Sequence, residues 1–247
     1  MKRVLLISGR SDHGGGPEHM LLLAKKLVEH YEVFVACPEC EPYWARFVGL
    51  VGFDRMIQIP HRKVEARACA ELIMRSVRLQ FSVVHAHGRA AGIYGRMLRV
   101  LVPGVRLVYT PHGPIVGATL TSNGIRACEM ALTGVVDELI AVSESERGFW
   151  RKCSLPTVCP FVIENGVRIP DVGVSFPQQG LFRVLHVTRF VKQKNSGFLV
   201  PVMKELIMRG GRQIHWTVAG GGPGGRGFGK NLGGAGLNSC CGGGGGR

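Results

Sequence analysis

Acidic residues are scarce in this chain. Seventeen Asp and Glu stand against thirty-one Lys and Arg, for a formal net charge of +14. Between His61 and Arg106 only Glu65 and Glu71 oppose Arg62, Lys63, Arg67, Arg75, Arg78, Arg89, Arg96, Arg99 and Arg106. Such a stretch suits an anionic membrane surface, a phosphorylated ligand or plain solvent. Aromatic residues make up only 7% of the chain. They are not interleaved with the basic stretch as a nucleic-acid platform requires, so nucleic acid is not an expected partner. Long apolar runs are missing too, which excludes a predicted membrane-spanning helix. Val4–Ile7 is too short for the core of a secretory signal. The eight cysteines are therefore expected as free thiols in a reducing, cytoplasmic setting, with the basic stretch peripheral at the inner membrane face. Cys37 and Cys40 form a CxxC pair with no second pair at metal-ligand spacing, so no metal is expected.

The end of the chain lacks what a core needs. Gly220–Arg247 holds 15 of the 36 glycines, no Asp or Glu, and almost no apolar side chain. It cannot bury enough surface to offset the entropy of ordering, and residues 224–247 are expected to be a disordered tail.

What is present is an alternation. Val4–Ser8, Glu32–Ala36, Ser82–His85, Arg106–Tyr109 and Glu138–Val142 read as buried strands. Pro17–Glu29, Ala66–Leu79, Arg89–Val102 and Gly124–Leu132 carry helical spacing between them. Ser143 reads as a helix N-cap, with Glu146 completing a capping box. The pattern predicts an α/β fold, a Rossmann-like parallel sheet with helices on both faces, over residues 1–172. Pro170–Gly180 has no periodicity and marks a boundary. A second, incomplete Rossmann-like unit is expected over 180–223. It consists of a strand (Leu181–Thr188), a basic loop, a helix (Asn195–Arg209) and one more strand (His215–Ala219).

Ligands of open parallel sheets bind beyond the carboxyl ends of the strands. Gly14–Gly16 sits at such an end and opens a helix. It is either a phosphate cradle or a tight strand–helix turn. His85 and His87 (HAHG) alternate along a strand and project to one face, but the sequence places no third ligand beside them. His112, in TPHG, can hydrogen-bond a hydroxyl, act as a base near neutral pH, or bond local backbone. Arg189 and Lys194 lie five apart on one loop and could hold a diphosphate. No acidic residue about 20 positions beyond the first glycine loop is placed for a ribose, since Glu39 and Glu41 follow Pro38 and not a clean strand end, which speaks against a dinucleotide oxidoreductase.

In order, GGGPEH, VVHAHG, YTPHG, DELIAVSESER, VIENGV, VTRFVKQKN and AGGGP resemble glycosyltransferase family 4. The resemblance covers Met1 to about Pro223 and implies the GT-B fold of two facing Rossmann-like domains, the acceptor-side domain first. It implies retaining sugar transfer, without metal or other cofactor, from a UDP- or GDP-sugar to a glycan or lipid-linked acceptor. Gly15 and Gly16 would lie near the donor phosphates, and His112 would be catalytic beside the reacting sugar. His85 and His87 would face the acceptor, and Arg189 and Lys194 would hold the leaving diphosphate. Asn165 and Gly166 would lie at the crossover between domains. The family's E-x7-E carboxylate pair has no counterpart in the second unit. The Glu138 to Glu146 spacing lies in the first unit and is coincidental. A truncated, impaired transferase is the expectation. A non-catalytic module that binds the acceptor or a membrane is the alternative.

Overall fold

The computed structural model describes residues 1–113, 120–155, 158–169, 182–191, 194–209, 214–225 and 227–229. The chain divides into two compact units, Met1–Ile169 and Pro170–Arg247. Residues 170–180, read above as a boundary, and 230–247 of the expected tail lie outside the described residues.

The first unit alternates strand and helix: β1 (Arg3–Ser8), α1 (Gly15–Leu27), β2 (Glu32–Cys37), α2 (Tyr43–Val51), β3 (Met56–Gln58), α3 (Ala66–Leu79) and β4 (Val83–His87). It continues with α4 (Arg89–Leu101), β5 (Arg106–Thr110), α5 (Leu120–Leu132), β6 (Glu138–Ala141), α6 (Glu144–Cys153) and β7 (Phe161–Val162). The seven strands form one sheet in the order β3-β2-β1-β4-β5-β6-β7, and every described pairing is parallel. The sheet is thus Rossmann-like, and its strand order reverses between β1 and β4.

Parallel strands are covered on both faces, so successive strand residues serve two cores. Val4, Leu6, Val33 and Val35 face one way and pack on Met20 and Leu21 of α1 and Phe47 of α2. Leu5, Ile7, Phe34 and Val84 face the other way and pack with Leu72 of α3, Tyr94 and Leu98 of α4, and Trp150 of α6. The segment α2–β3 was not predicted. Tyr43, Phe47 and Val51, spaced by four, are its buried stripe, and Pro42 and Gly52 bound it.

Helix α4 comes unusually close to the sheet. A Cβ at Gly92 would lie 2.6 Å from the Tyr109 ring, and one at Gly95 would lie 2.6 Å from Leu107. The same helix corrects the picture of a wholly exposed basic stretch. Arg96 is only 4% exposed. Its Nη2 donates to Glu129 Oε2 at 2.7 Å, its Nε donates to the Leu132 carbonyl, and its guanidinium lies 4.5 Å from the Tyr109 ring centroid. Arg75, Arg99 and Arg106 pair with Glu71, Asp137 and Glu138. Among the described residues, Arg62, Lys63, Arg67, Arg78 and Arg89 remain exposed and outside any ion pair.

The second unit pairs β8 (Phe182–Val187) in parallel with β9 (Ile214–Ala219), and α7 (Leu199–Met208) lies between them in sequence. Phe190, Val200, Met203, Val218 and Phe228 form its core. Phe228 belongs to the stretch read as tail. It is buried because it tilts against Phe190 with ring centroids 5.2 Å apart, while the Gly224 N–H donates to the Phe190 carbonyl at 2.9 Å. The Phe228 ring and the Gly224 hydrogen bond tie this part of the glycine run to the turn after β8.

Candidate functional site

Four histidines meet at the carboxyl end of the sheet, beside the reversal between β1 and β4. His85 and His87 stand on β4, one residue apart on the same face, with ring centroids 4.1 Å apart. The strand runs to His87, two residues beyond the predicted end, so both imidazoles are held by the ladder to β1 and β5. His112 follows β5. His19 comes from α1, with its ring beside those of His87 and His112. The sequence reading did not single out His19. Its signal was position: three residues after Gly16, on the first turns of the helix that the glycine loop opens.

The cluster is tightly joined. His85 Nε2 hydrogen-bonds Thr110 Oγ1 at 2.8 Å. His87 Nδ1 and His112 Nε2 share a hydrogen bond of 3.1 Å. The His19 ring lies 5.4 Å from that of His87 and 5.1 Å from that of His112, and the Asn165 side chain is near enough to raise its proton affinity. Asn165, expected at the crossover, lies in the first unit near the His19 ring. His87 Nε2 is buried without a hydrogen-bond partner.

Burial governs the protonation of these rings. Loss of solvent pushes His85 down to about 3 and His112 down to about 4. The neighbouring imidazoles, which would repel a second positive charge, add to the effect at both. His87 is driven well below the ordinary histidine value by the same cause, and His19 is lowered by burial against the raising effect of Asn165. Near neutral pH the cluster is thus a set of uncharged imidazoles, each offering one lone pair and one N–H. Such a set can hydrogen-bond hydroxyls, take up a proton, or ligate a metal.

Loops on either side fix the geometry. His112 has φ 58, a left-handed conformation that is costly for a residue with a Cβ. The next residue, Gly113, is tied down from a distant helix: its N–H donates to Glu146 Oε1 at 2.6 Å. Glu146 Oε2 accepts from the Val142 N–H at 2.7 Å. Only half of the predicted capping box forms. Ser143 Oγ accepts from the Glu146 N–H, but the Glu146 carboxylate is spent on the loop that carries His112. On the other side, the Gly88 N–H donates to the Thr110 carbonyl at 2.8 Å and locks the end of β4 to the end of β5.

The glycine loop lies next to this cluster. Helix α1 begins at Gly15, two residues earlier than predicted, so Gly15 and Gly16 form its first turn with no side-chain cap. Their N–H groups and the positive end of the helix dipole are the donors this corner offers. A Cβ at Gly16 would lie 3.8 Å from His112 Cδ2, while Gly15 faces open space.

In the second unit, Arg189 and Lys194 flank the turn after β8, and both are exposed. The glycine run that follows β9 holds this turn. The Phe190 N–H donates to the Gly221 carbonyl, and a Cβ at Gly220 would run into the Thr188 carbonyl. That close approach requires glycine in GGGP.

The fold and the site define a Rossmann-like domain with its polar groups gathered at the strand-order switch. The chain belongs to Glycosyltransferase Family 4, whose family model matches residues 13–169. Among solved structures it is similar to Anabaena Alr3699/HepE in complex with UDP and glucose, with a TM-score of 0.76 and 14% identity, covering 96% of this chain and 67% of that one. It is similar to the lipopolysaccharide outer core galactosyltransferase WaaB, with a TM-score of 0.63 and 13% identity, covering 96% of this chain and 66% of that one. It is also similar to Acinetobacter baumannii MurG, with a TM-score of 0.56 and 15% identity, covering 98% of this chain and 67% of that one. The chain therefore spans about two thirds of the length of these structures. A search of curated proteins by sequence finds no match. Among the described residues, no helix is long and apolar enough to cross a membrane.

Proposed function

We propose that this chain takes part in retaining transfer of a sugar from a UDP- or GDP-sugar to a glycan or lipid-linked acceptor. One observation carries the reading: in a member of Glycosyltransferase Family 4, uncharged histidines converge beside the bare helix start at Gly15 and Gly16. His112 is the catalytic candidate, hydrogen-bonding a hydroxyl of the reacting sugar or of the acceptor. His87 backs it through the 3.1 Å contact. His85 is further from the reaction, since Thr110 occupies its Nε2. Gly15 and Gly16 would approach donor phosphates with backbone N–H groups, and Arg189 and Lys194 would neutralise the leaving diphosphate. The similar Anabaena Alr3699/HepE is known in complex with UDP and glucose and with UDP-glucose, which supports a nucleotide-sugar donor. A membrane-bound acceptor fits the five exposed cations from Arg62 to Arg89. Arg67 and Arg78 of α3 and Arg89 of α4 share their helices with exposed Met74, Val77, Ile93, Val100 and Leu101.

The test is nucleotide release from UDP-glucose and GDP-mannose by the 247-residue chain, with direct binding of UDP and GDP measured alongside. No E-x7-E carboxylate pair follows the GGGP motif in these residues, so slow turnover is expected. His112→Ala should lower it by about 10²-fold or more while leaving nucleotide binding unchanged. Wild-type turnover in the His112→Ala variant would reject the assignment. Binding of anionic vesicles with no response to any nucleotide would favour a binding module instead.

A further inference from the structure

We propose that His19, His87 and His112 form a binding site for one divalent transition-metal ion of the zinc type. The sequence offered an HxH pair and no third ligand. The fold supplies the missing ones from two other elements, α1 and the loop after β5. One nitrogen from each of the three rings lies within 4.8 Å of the other two. Zinc–imidazole bonds of about 2.0–2.1 Å place two nitrogens of a tetrahedral site about 3.3 Å apart. His87 Nδ1 and His112 Nε2, at 3.1 Å, already stand at that spacing. Only His19, half-buried on its helix, has to draw closer.

The chemistry of the donors fits. Three uncharged imidazoles carry three lone pairs, and the contact between His87 and His112 uses one of them. One of the two nitrogens in that contact carries the N–H, so a metal held by both moves that proton to the other nitrogen of its ring. Glu146 fixes the backbone next to His112 through Gly113. The group holds no carboxylate among the described residues, which selects Zn²⁺, Cu²⁺ or Ni²⁺ over Mg²⁺ and Ca²⁺. Cys37 and Cys40 take no part: Cys37 is buried in the core under α1 and α2, and Cys40 Sγ sits 3.8 Å from His61 Nδ1.

The site is tested on the full, metal-free 247-residue chain under reducing conditions. Zn²⁺ binding is followed by competition with a chromophoric chelator, and Co²⁺ binding by its absorption spectrum. We expect one Zn²⁺ per chain, no competition by Mg²⁺, and cobalt bands without thiolate-to-metal charge transfer. His19→Ala and His112→Asn should each weaken binding by roughly tenfold or more, while Cys40→Ser should not. Asn tolerates the left-handed backbone at position 112, and Ala suits the helix at position 19. Circular dichroism identifies which of the two variants keeps the native fold, and that variant decides. Unchanged affinity in a folded variant overturns the proposal, as does a thiolate cobalt band or the absence of Zn²⁺ binding by the wild type. The metal would take the His87 and His112 nitrogens that the proposed transfer uses, so it competes with a sugar hydroxyl for this corner, and the readout is metal binding alone.

Discussion

The two units solve the same problem with unequal means. In the first, a parallel sheet is sandwiched between α1 and α2 on one face and α3, α4 and α6 on the other. Leu5, Leu6 and Ile7 are all fully buried. In the second, two parallel strands share a single small core, and Leu185 and Val187 on β8 are 66% and 72% exposed. A parallel pair has a hydrophobic side chain pointing each way at nearly every position, so covering one face leaves the other wet. β1 carries Val4–Ile7 unbroken, whereas Arg183 and His186 interrupt β8. Fewer neighbouring elements and a weaker apolar run both contribute to the difference in burial. Stability should therefore be local to each unit, and each experiment below sharpens or breaks that division.

The largest effect is expected at Arg96. It is buried with Glu129, and α4 is bound through that pair to α5 and, through the ring contact, to Tyr109. Arg96→Ala strands a buried carboxylate and should cost about 3–5 kcal/mol. The double variant Arg96→Met with Glu129→Leu should recover most of this, because the charge is removed with its partner. Amide exchange separates the units. The change should appear across β1, β4 and β5 and be absent from β8 and β9. Equal loosening of both would show that the division is wrong.

Acid should act on the first unit through its histidines. His85 and His112 bind protons less readily folded, at about 3 and about 4, than at the unfolded value near 6.5. The unfolded chain holds more protons between those limits. Stability is therefore complete above pH 6.5 and falls as the pH drops, levelling off only near 4 for His112 and 3 for His85. Each histidine contributes at most about 1.4 kcal/mol per pH unit across its window. Urea unfolding at pH 7, 6 and 5, read by the buried Trp150, measures the slope. His85→Asn should make it shallower. A flat profile from pH 7 to 5 would mean that the rings are solvated.

The sequence reveals the sheet because both of its faces are buried, and runs such as Val4–Ile7 announce that directly. It also reveals His85 and His87, since alternation along a strand fixes their shared face. His19 was illegible for the opposite reason: a helix histidine joins a site only through the rotation of its helix over the sheet, which no local pattern encodes. Glu146 carried a true capping signal with a hidden second use, because its carboxylate reaches Gly113, 33 residues away. Arg96 looked like one more surface cation. Its partner Glu129 lies 33 residues on and in another helix. Phe228 was lost in the glycine count, although its ring is buried against Phe190.

The smallest effects, of opposite sign, are expected from the same substitution in the two units. Glycine to alanine in a helix gains about 1 kcal/mol of intrinsic propensity where the new methyl has room. At Gly92 it has none. The Cβ would lie 2.6 Å from Tyr109 Cε2 and 3.1 Å from Arg96 Nη1, and Tyr109 is fully buried between α4 and Trp150. The ring cannot swing away without disturbing the contact with Arg96. Overpacking of about 1–3 kcal/mol outweighs the propensity gain, so Gly92→Ala should destabilise the first unit by about 1 kcal/mol. Gly197 lies in the short turn before α7, with open space where a Cβ would point and no left-handed backbone to forbid one. There Gly197→Ala should stabilise the second unit by about 0.4–1 kcal/mol, chiefly by restricting the unfolded chain. Hydrogen exchange of β4 and β8 in the two variants reads both signs. A gain at Gly92 would mean that α4 can lift off the sheet. A loss at Gly197 would mean that the second unit is packed more tightly around that turn than its exposed strand suggests.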